Sequence, residues 1–243
     1  MKRLIDIALS FFGLLALSPI LLIFMFLIFL QDKHSPFFIA LRVGKGGVPF
    51  KMIKLRSMVI NADKSGVDST SVNDMRITKV GHMIRRYKLD ELMQLWNVLI
   101  GDMSLVGPRP NVQRDIDLYT EQERVLLTVK PGITDISSIV FSDEGDILEG
   151  KNDPDLAYNQ LIRPWKSRLG LIYIENHSIF LDIELIFYTI IAIASKEKAL
   201  KWVVKKLKEF RVDEKVVSVS IRNSELVAFP PPGMDVIVTS RNI

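Results

Sequence analysis

Asp90 and Glu91 stand side by side after the basic run Arg85-Arg86-Tyr87-Lys88 and before a helix-like stretch, Leu92 to Ile100. That stretch runs out into Gly101-Asp102-Met103-Ser104-Leu105-Val106-Gly107-Pro108-Arg109-Pro110. Adjacent carboxylates hold hard divalent cations, and cations on both sides draw phosphate. Acids alone also favour the first turn of a helix. It is the added cations and the stiff Pro-Arg-Pro that point to a phosphate-handling site with a divalent ion.

Such a site needs elements to hold it. Leu89, Leu92, Met93, Trp96, Leu99 and Ile100 recur at helical spacing within Ile84 to Ile100, with Gly101 as the stop, so Asp90 and Glu91 would occupy a first turn. Phe37 to Val43 and Phe50 to Leu55 are apolar-rich segments around Gly44-Lys45-Gly46-Gly47-Val48-Pro49 and read as a β-hairpin. Those glycines are a turn rather than a phosphate loop, because no Gly-Lys-Ser/Thr and no helix pattern follows. Asn61 to Asn73 is polar and reads as a mobile loop. Asp115 to Val129 reads as a second amphipathic helix, and Leu156 to Ile162 as helical up to Pro164. Ile183 to Ala194 reads as a buried or interfacial helix too short to span a bilayer. Lys196 to Phe210 is basic and amphipathic, fitting either a headgroup surface or a solvated helix. Val217 to Arg222 alternates like a strand, and Val236-Ile237-Val238 is β-like beyond Pro230-Pro231-Pro232-Gly233.

The chain also begins with a membrane signal. Ile7 to Leu30 contains no charged residue, about 36 Å of helix at 1.5 Å per residue. Pro19 deprives the Leu15 carbonyl of its helical donor, and the Ser18 hydroxyl can reach back to replace it. Lys2 and Arg3 precede the run, while Lys33, Arg42, Lys45, Lys51, Lys54 and Arg56 follow it. Positive charge stays in the cytoplasm. A helix broken at Ser18-Pro19 that re-enters the same face satisfies both ends, whereas a kinked transmembrane anchor violates one.

The 243 residues carry a formal net charge of +4 and a pI near 9.2, with the basic residues crowded near the apolar run. That balance favours anionic headgroups and phosphorylated substrates, and no nucleic-acid motif is present. The absence of cysteine removes disulfides, thiolate catalysis and sulfur-ligated metals. His34, His82 and His177 lie too far apart for paired ligation, leaving oxygen-liganded Mg²⁺ as the fitting ion. The expected architecture is α+β and mainly helical: a membrane-associated monotopic domain with a re-entrant N-terminal helix, amphipathic interfacial helices, a small β-hairpin and a β-like tail. The expected divisions are 1–31 for the membrane helix, 32–210 for a cytoplasmic domain and 211–243 for the tail.

With these pieces in order, the chain resembles the bacterial sugar transferase family, the monotopic phosphoglycosyl transferases, from Met1 to about Lys196. The resemblance rests on the Ser-Pro-broken helix, Arg42-Val43-Gly44-Lys45, Pro49-Phe50-Lys51-Met52 and Lys54-Leu55-Arg56-Ser57-Met58. It continues through Asp90-Glu91-Leu92, Gln94-Leu95-Trp96-Asn97-Val98-Leu99, Gly101 to Pro110 and Lys130-Pro131-Gly132-Ile133-Thr134. It implies transfer of a phosphosugar from a nucleotide sugar, usually a UDP-sugar, to polyprenol phosphate. The products would be polyprenyl-diphospho-sugar and UMP, made at the cytoplasmic face of the bacterial inner membrane as the first membrane step of a surface glycan pathway. The resemblance gives Asp90 the role of nucleophile, forming an aspartyl-phosphosugar intermediate. Glu91 would assist the second half-reaction or share Mg²⁺ with Asp90. Arg109, fixed between two prolines, is the best phosphate clamp. Lys54 and Arg56 are second contacts to substrate or to lipid phosphate, and Arg85 and Arg86 fit either job.

The chain departs from the family pattern at Lys88 in place of Ser or Thr, at Met93 in place of Pro, and at Asp135-Ile136-Ser137-Ser138-Ile139 after Gly132-Ile133-Thr134. The last segment bears on sugar or nucleotide choice. Lys88 removes a helix cap, which leaves Asp90 to cap the helix itself. These changes, with a tail beyond the resemblance that offers a surface for a partner or self-association, motivate a competing reading: an inactive membrane-anchored assembly or regulatory protein.

Overall fold

The computed structural model describes residues 1–65, 70 and 73–240; positions 66–69 and 71–72 of the expected polar loop lie outside the described residues. The chain opens with helix α1 (Lys2–Asp32), followed by the hairpin strands β1 (Phe37–Val43) and β2 (Pro49–Leu55). Next come α2 (Lys79–Arg86), a 3₁₀ turn (Leu89–Met93) and α3 (Gln94–Ile100). Strand β3 (Ser104–Val106) leads through α4 (Gln113–Asp117) and α5 (Glu121–Arg124) to β4 (Gly132–Thr134). Two short helices, α6 (Ile136–Val140) and α7 (Glu144–Ile147), precede α8 (Pro154–Ala157) and a π-helical turn (Tyr158–Ile162). The long helices α9 (Arg163–Asn176), α10 (Ile179–Ala194) and α11 (Lys196–Glu209) and then α12 (Glu214–Ile221) complete the α+β, mainly helical architecture.

Helix α1 has two unlike sides. Asp6, Ser10, Leu21 and Ile28 are buried, and Leu14, Leu17, Phe24 and Met25 extend the same stripe at three- and four-residue spacing. The opposite side leaves Phe11, Phe12, Leu15, Leu22, Ile23 and Phe26 uncovered, an apolar surface suited to lipid. The helix is long and apolar enough to cross a membrane, yet both its ends grip the same body. At the start, Lys2 Nζ meets Asp182 at 2.5 Å, and Arg3 donates to the Val98 and Leu99 carbonyls at 2.5 and 2.9 Å. One turn on, buried Asp6 accepts from Ser104 Oγ (2.9 Å) and the Leu105 N–H (3.1 Å). At the far end Asp32 receives both terminal nitrogens of Arg56, at 2.5 and 2.7 Å.

The expected break at Ser18-Pro19 is a point inside one continuous helix. Ser18 Oγ donates to the Leu15 carbonyl at 2.7 Å, supplying the bond that Pro19 removes. The β-hairpin matches expectation, pairing Phe37 with Leu55 through Val43 with Pro49 around a turn in which Gly46 (φ 70°) is left-handed.

Other expectations require correction. Ile84 to Ile100 is not a single helix: Lys88 sits at φ 53°, ending α2 and opening the 3₁₀ turn that carries the carboxylates. Asp115 to Val129 is broken by a capping box at Thr120 and Glu123. The helical path does not stop at Pro164, because that proline falls in the first turn of α9, where no N–H is needed. The β-like tail is not β. Val217 to Ile221 belongs to α12, whose Val216 and Val217 are buried in the main core, and Val236 to Val238 form no strand. Alternation over so few residues satisfies one face of a short helix as well as a strand. Beyond α12 the chain straps back over α9: Phe229 stacks on Trp165 at 4.4 Å, Arg168 donates to the Pro230 carbonyl and Thr120 to that of Pro232. The apolar side of α11 (Leu200, Trp202, Val203, Leu207) is likewise buried in the protein rather than turned to a headgroup surface. On α10, by contrast, Phe180, Ile183, Phe187, Ile190 and Ile193 form an exposed stripe.

Two parallel strands fix the far side of the site. Ser104 pairs with Gly132 and Val106 with Thr134. A Cβ on Gly132 would stand 2.1 Å from the Gly107 nitrogen, and one on Gly107 would stand 2.5 Å from the Lys130 carbonyl. Only glycine permits that backbone approach.

With both ends of α1 tied to one body, the N-terminus and the exposed loop residue Met75 are expected on one side of a membrane. A cysteine in a tag ahead of Met1 and a Met75→Cys variant, in a chain with no native cysteine, will label from the same side of sealed vesicles. Labelling from opposite sides would show that α1 crosses.

Candidate active site

The 3₁₀ turn Leu89–Met93 has two faces of opposite character. Leu89, Leu92 and Met93 pack with Leu14, Leu17, Leu21 and Ile28 of α1. Asp90 and Glu91 point the other way, toward cations from β2 and from the loop after β3. Lys54 Nζ lies 3.5 Å from Glu91 Oε1, and Arg109 Nη2 makes a short ion pair with the same oxygen. A single acceptor thus joins the strand, the turn and the Pro-Arg-Pro loop.

Asn97 sets the relation between strand and turn. Fully buried on α3, it accepts from the Ile53 N–H (2.9 Å) and donates to the Lys51 carbonyl (2.7 Å). Its amide therefore pairs with the free edge of β2 as a neighbouring strand would, and fixes Lys54 one residue further on. The C-terminal end of α3 is closed by Gly101 at φ 104° and by the guanidinium of Arg3, a cation on exposed carbonyls where the helix dipole favours it.

Electrostatics separate the two carboxylates. Burial pushes Asp90 above the ordinary aspartate value, with the charge of Lys54 opposing it and that of Glu91 adding to it. Burial also disfavours ionised Glu91, but Arg109 and Lys54 outweigh that cost and hold it well below the usual carboxylate range. Lys54 and Lys88 are both pulled below the ordinary lysine value, first by burial. Asp90 does not cap the turn, and among the described residues no side-chain hydrogen bond or ion pair engages it. The result is one clamped carboxylate, and beside it one that is uncommitted and raised in basicity.

The other expected site residues fall at different places. Arg85 is close enough to favour the ionised form of Asp90. Arg86 is exposed and lies over the Tyr87 ring. Arg56 is not brought to the dyad: its guanidinium is held by Asp32 and the Ser35 carbonyl, so it anchors α1. Ser137 and Ser138 donate to Asp135, which caps α6, so these hydroxyls turn inward. Three further groups join the site. Lys88 was legible as the dyad's neighbour, whereas Glu144 and Lys166, ion-paired to each other beside Arg109, carried no local signal.

Mg²⁺ takes octahedral oxygen ligands and keeps several waters, binding proteins through one or two carboxylates plus substrate phosphates. The uncommitted Asp90 and the adjacent Glu91 suit that mode. Among the described residues no three acidic or histidine side chains form a cage, so the remaining ligands would come from substrate and water.

Asn97→Ala would strand the Ile53 N–H and the Lys51 carbonyl. A loss of about 2–4 kcal/mol is expected, read as a lower unfolding midpoint. An unchanged midpoint would show that Asn97 does not hold β2.

A family described as bacterial sugar transferase matches residues 1–196, ending at the first residue of α11 and leaving the rest of α11, α12 and the strap outside it. The chain is similar to the UDP-glucose:undecaprenyl-phosphate glucose-1-phosphate transferase of Klebsiella pneumoniae, 38% identical over 197 residues that cover 78% of this chain and 39% of that protein. It is 34% identical over 194 residues to the UDP-N-acetylgalactosamine-undecaprenyl-phosphate N-acetylgalactosaminephosphotransferase of Aeromonas hydrophila, with coverages of 78% and 42%. With the exopolysaccharide production protein ExoY of Sinorhizobium fredii it shares 32% identity over 207 residues, 79% of this chain and 84% of that protein. The chain thus spans less than half the length of the first two.

Proposed function

The chain belongs to the bacterial sugar transferase family, and from that premise we propose that it is a phosphoglycosyl transferase moving a sugar 1-phosphate from a UDP-sugar to polyprenol phosphate. The products are polyprenyl-diphospho-sugar and UMP. The site works at the cytoplasmic face of the bacterial inner membrane, in the first membrane step of an exopolysaccharide or related surface glycan. The observation that carries this reading is the uncommitted, buried Asp90 beside a Glu91 clamped by Arg109 and Lys54, on a turn seated against α1.

Asp90 Oδ attacks the phosphorus that bears the sugar. The bond from that phosphorus to the bridging oxygen breaks, and UMP leaves with the electron pair. An oxygen of polyprenol phosphate then attacks the same phosphorus, the Asp90–phosphorus bond breaks, and the carboxylate is restored. Splitting one displacement between two bulky anions into two steps is the advantage of the covalent route. Arg109 and Lys54 offset charge on the phosphoryl oxygens, and Glu91 holds both cations at the place where phosphate arrives. Mg²⁺, held by Asp90 and Glu91 together with the diphosphate, would neutralise charge on the leaving nucleotide.

Release of UMP from a panel of UDP-sugars, supplied with polyprenol phosphate and Mg²⁺, tests the activity. Asp90→Asn is expected to abolish release while membrane association persists, and a phosphosugar adduct on Asp90 should be visible by mass spectrometry in the wild type. Normal turnover by Asp90→Asn would sink the covalent route.

The nucleophile must be ionised, so the rate rises with pH through the pKa of Asp90, which burial places above the ordinary value. Lys54 opposes that rise. Removing its charge in Lys54→Met should therefore move the acid limb of the pH–rate profile to higher pH, and a limb that stays in place would separate Lys54 from Asp90.

A further inference from the structure

Beyond the dyad and its cations, one charged pair borders the site without a role in moving phosphate. β3 and β4 are parallel, so the chain leaves both at the same end: β3 into Gly107-Pro108-Arg109, β4 into Asp135, α6 and α7. Glu144 opens α7, and its carboxylate makes a short ion pair with Lys166 of α9, whose ammonium also lies over the Tyr158 ring at 5.3 Å. The adjacent residue, Asp143, anchors α7 from the other side. Its carboxylate meets Lys196 at 2.5 Å and Arg222 at 3.2 Å, both at or beyond the end of the family match. Consecutive acids therefore face opposite ways, one gripped by the C-terminal segment, the other turned to the site.

We propose that Glu144, clamped by Lys166, is a specificity-determining residue that accepts hydrogen bonds from hydroxyls of the transferred sugar. This rests on the phosphoglycosyl transfer proposed above. A carboxylate repels phosphoryl oxygens, and an ion pair is a poor wall for a prenyl chain; a hydroxyl-bearing ring offers donors to Glu144 and acceptors to Lys166, and the transferred sugar hangs on the very phosphorus that Asp90 attacks, whereas the ribose lies one phosphate further away. Lys166 also neutralises Glu144, so the acid does not repel the diphosphate held by Arg109. Lys166 and Arg109 keep Glu144 below the ordinary glutamate value against the cost of burial, so it stays an ionised acceptor. Its side chain remains one-third exposed, open to a ligand. Sites built to bond a substrate hydroxyl discriminate between sugars differing at one carbon, since the wrong epimer withdraws the hydroxyl that the carboxylate accepts from.

The test compares UDP with UDP-glucose, UDP-galactose and UDP-N-acetylgalactosamine on the full-length protein in lipid, by binding titration and by UMP release. Wild type should hold its preferred UDP-sugar more tightly than UDP. Glu144→Gln should cost that sugar about tenfold or more in binding and in kcat/KM, shrinking the ratio between sugars while leaving UDP affinity unchanged. Lys166→Gln should act in the same direction and provides the readout if Glu144→Gln does not fold. Equal loss of UDP and of every UDP-sugar would overturn the inference, because Glu144 would then act through Arg109. Unchanged ratios between sugars, or a wild type that binds UDP-sugars no tighter than UDP, would overturn it also. Sugar-dependent binding without UMP release would instead sink the transfer and leave the sugar contact standing.

Discussion

A single short turn is asked to be apolar and anionic at once, and the structure follows from how that conflict is resolved. Within Leu89–Met93 the leucines and the methionine bury against α1, while the carboxylates between them face basic groups. In a 3₁₀ turn side chains three apart eclipse, so Leu89 and Leu92 line up toward α1 while Asp90 and Glu91 fall to either side of that line. Lys88 at φ 53° starts the turn afresh instead of continuing α2, which would have rotated Asp90 and Glu91 onto a different face. The proposed chemistry is thereby fixed to the side of the helix that presents its other face to lipid.

Several of the elements around that turn are also tied to α1. Arg3 closes the end of α3, Asp6 ties α1 to the start of β3, and Arg56 at the end of the hairpin holds Asp32. Buried charges are costly unless paired, so these contacts stabilise chiefly by specificity: α1 has one register in which all of its charged ends are satisfied. Its long apolar run is thus a structural wall of the site as well as an attachment to lipid. That dual use explains why so hydrophobic a helix carries Asp6 on its buried stripe.

The two carboxylates illustrate how position divides labour between like groups. One accepts from cations on two separate elements and is locked as an anion; its neighbour is buried without a partner and made more basic. Phosphate arriving at Arg109 and Lys54 would enter a field already balanced by Glu91, leaving Asp90 as the group free to act. At and beyond the family boundary, Lys196 and Arg222 reach back to Asp143, so α11 and the end of α12 brace the wall beside Arg109.

Local sequence determined a good deal. The apolar run, the hairpin, the stop at Gly101, the Ser18 repair of the Leu15 carbonyl and the Asp90-Glu91 pair each depend on neighbours within a few residues, where steric and hydrogen-bonding rules act directly. Local rules do not decide where several solutions satisfy the same pattern. Val217 to Ile221 alternates, but burial of Val216 and Val217 in the core made it a helix. Lys88 is an ordinary residue whose left-handed backbone, at φ 53°, no local pattern announces. Arg56 read as a phosphate contact because charge is visible in sequence and its partner, Asp32, is not. Tertiary structure alone decided that Glu144 and Lys166 meet beside Arg109: ion pairs across 22 residues form where helices α7 and α9 are brought together, and nothing in either residue's surroundings along the chain anticipates it.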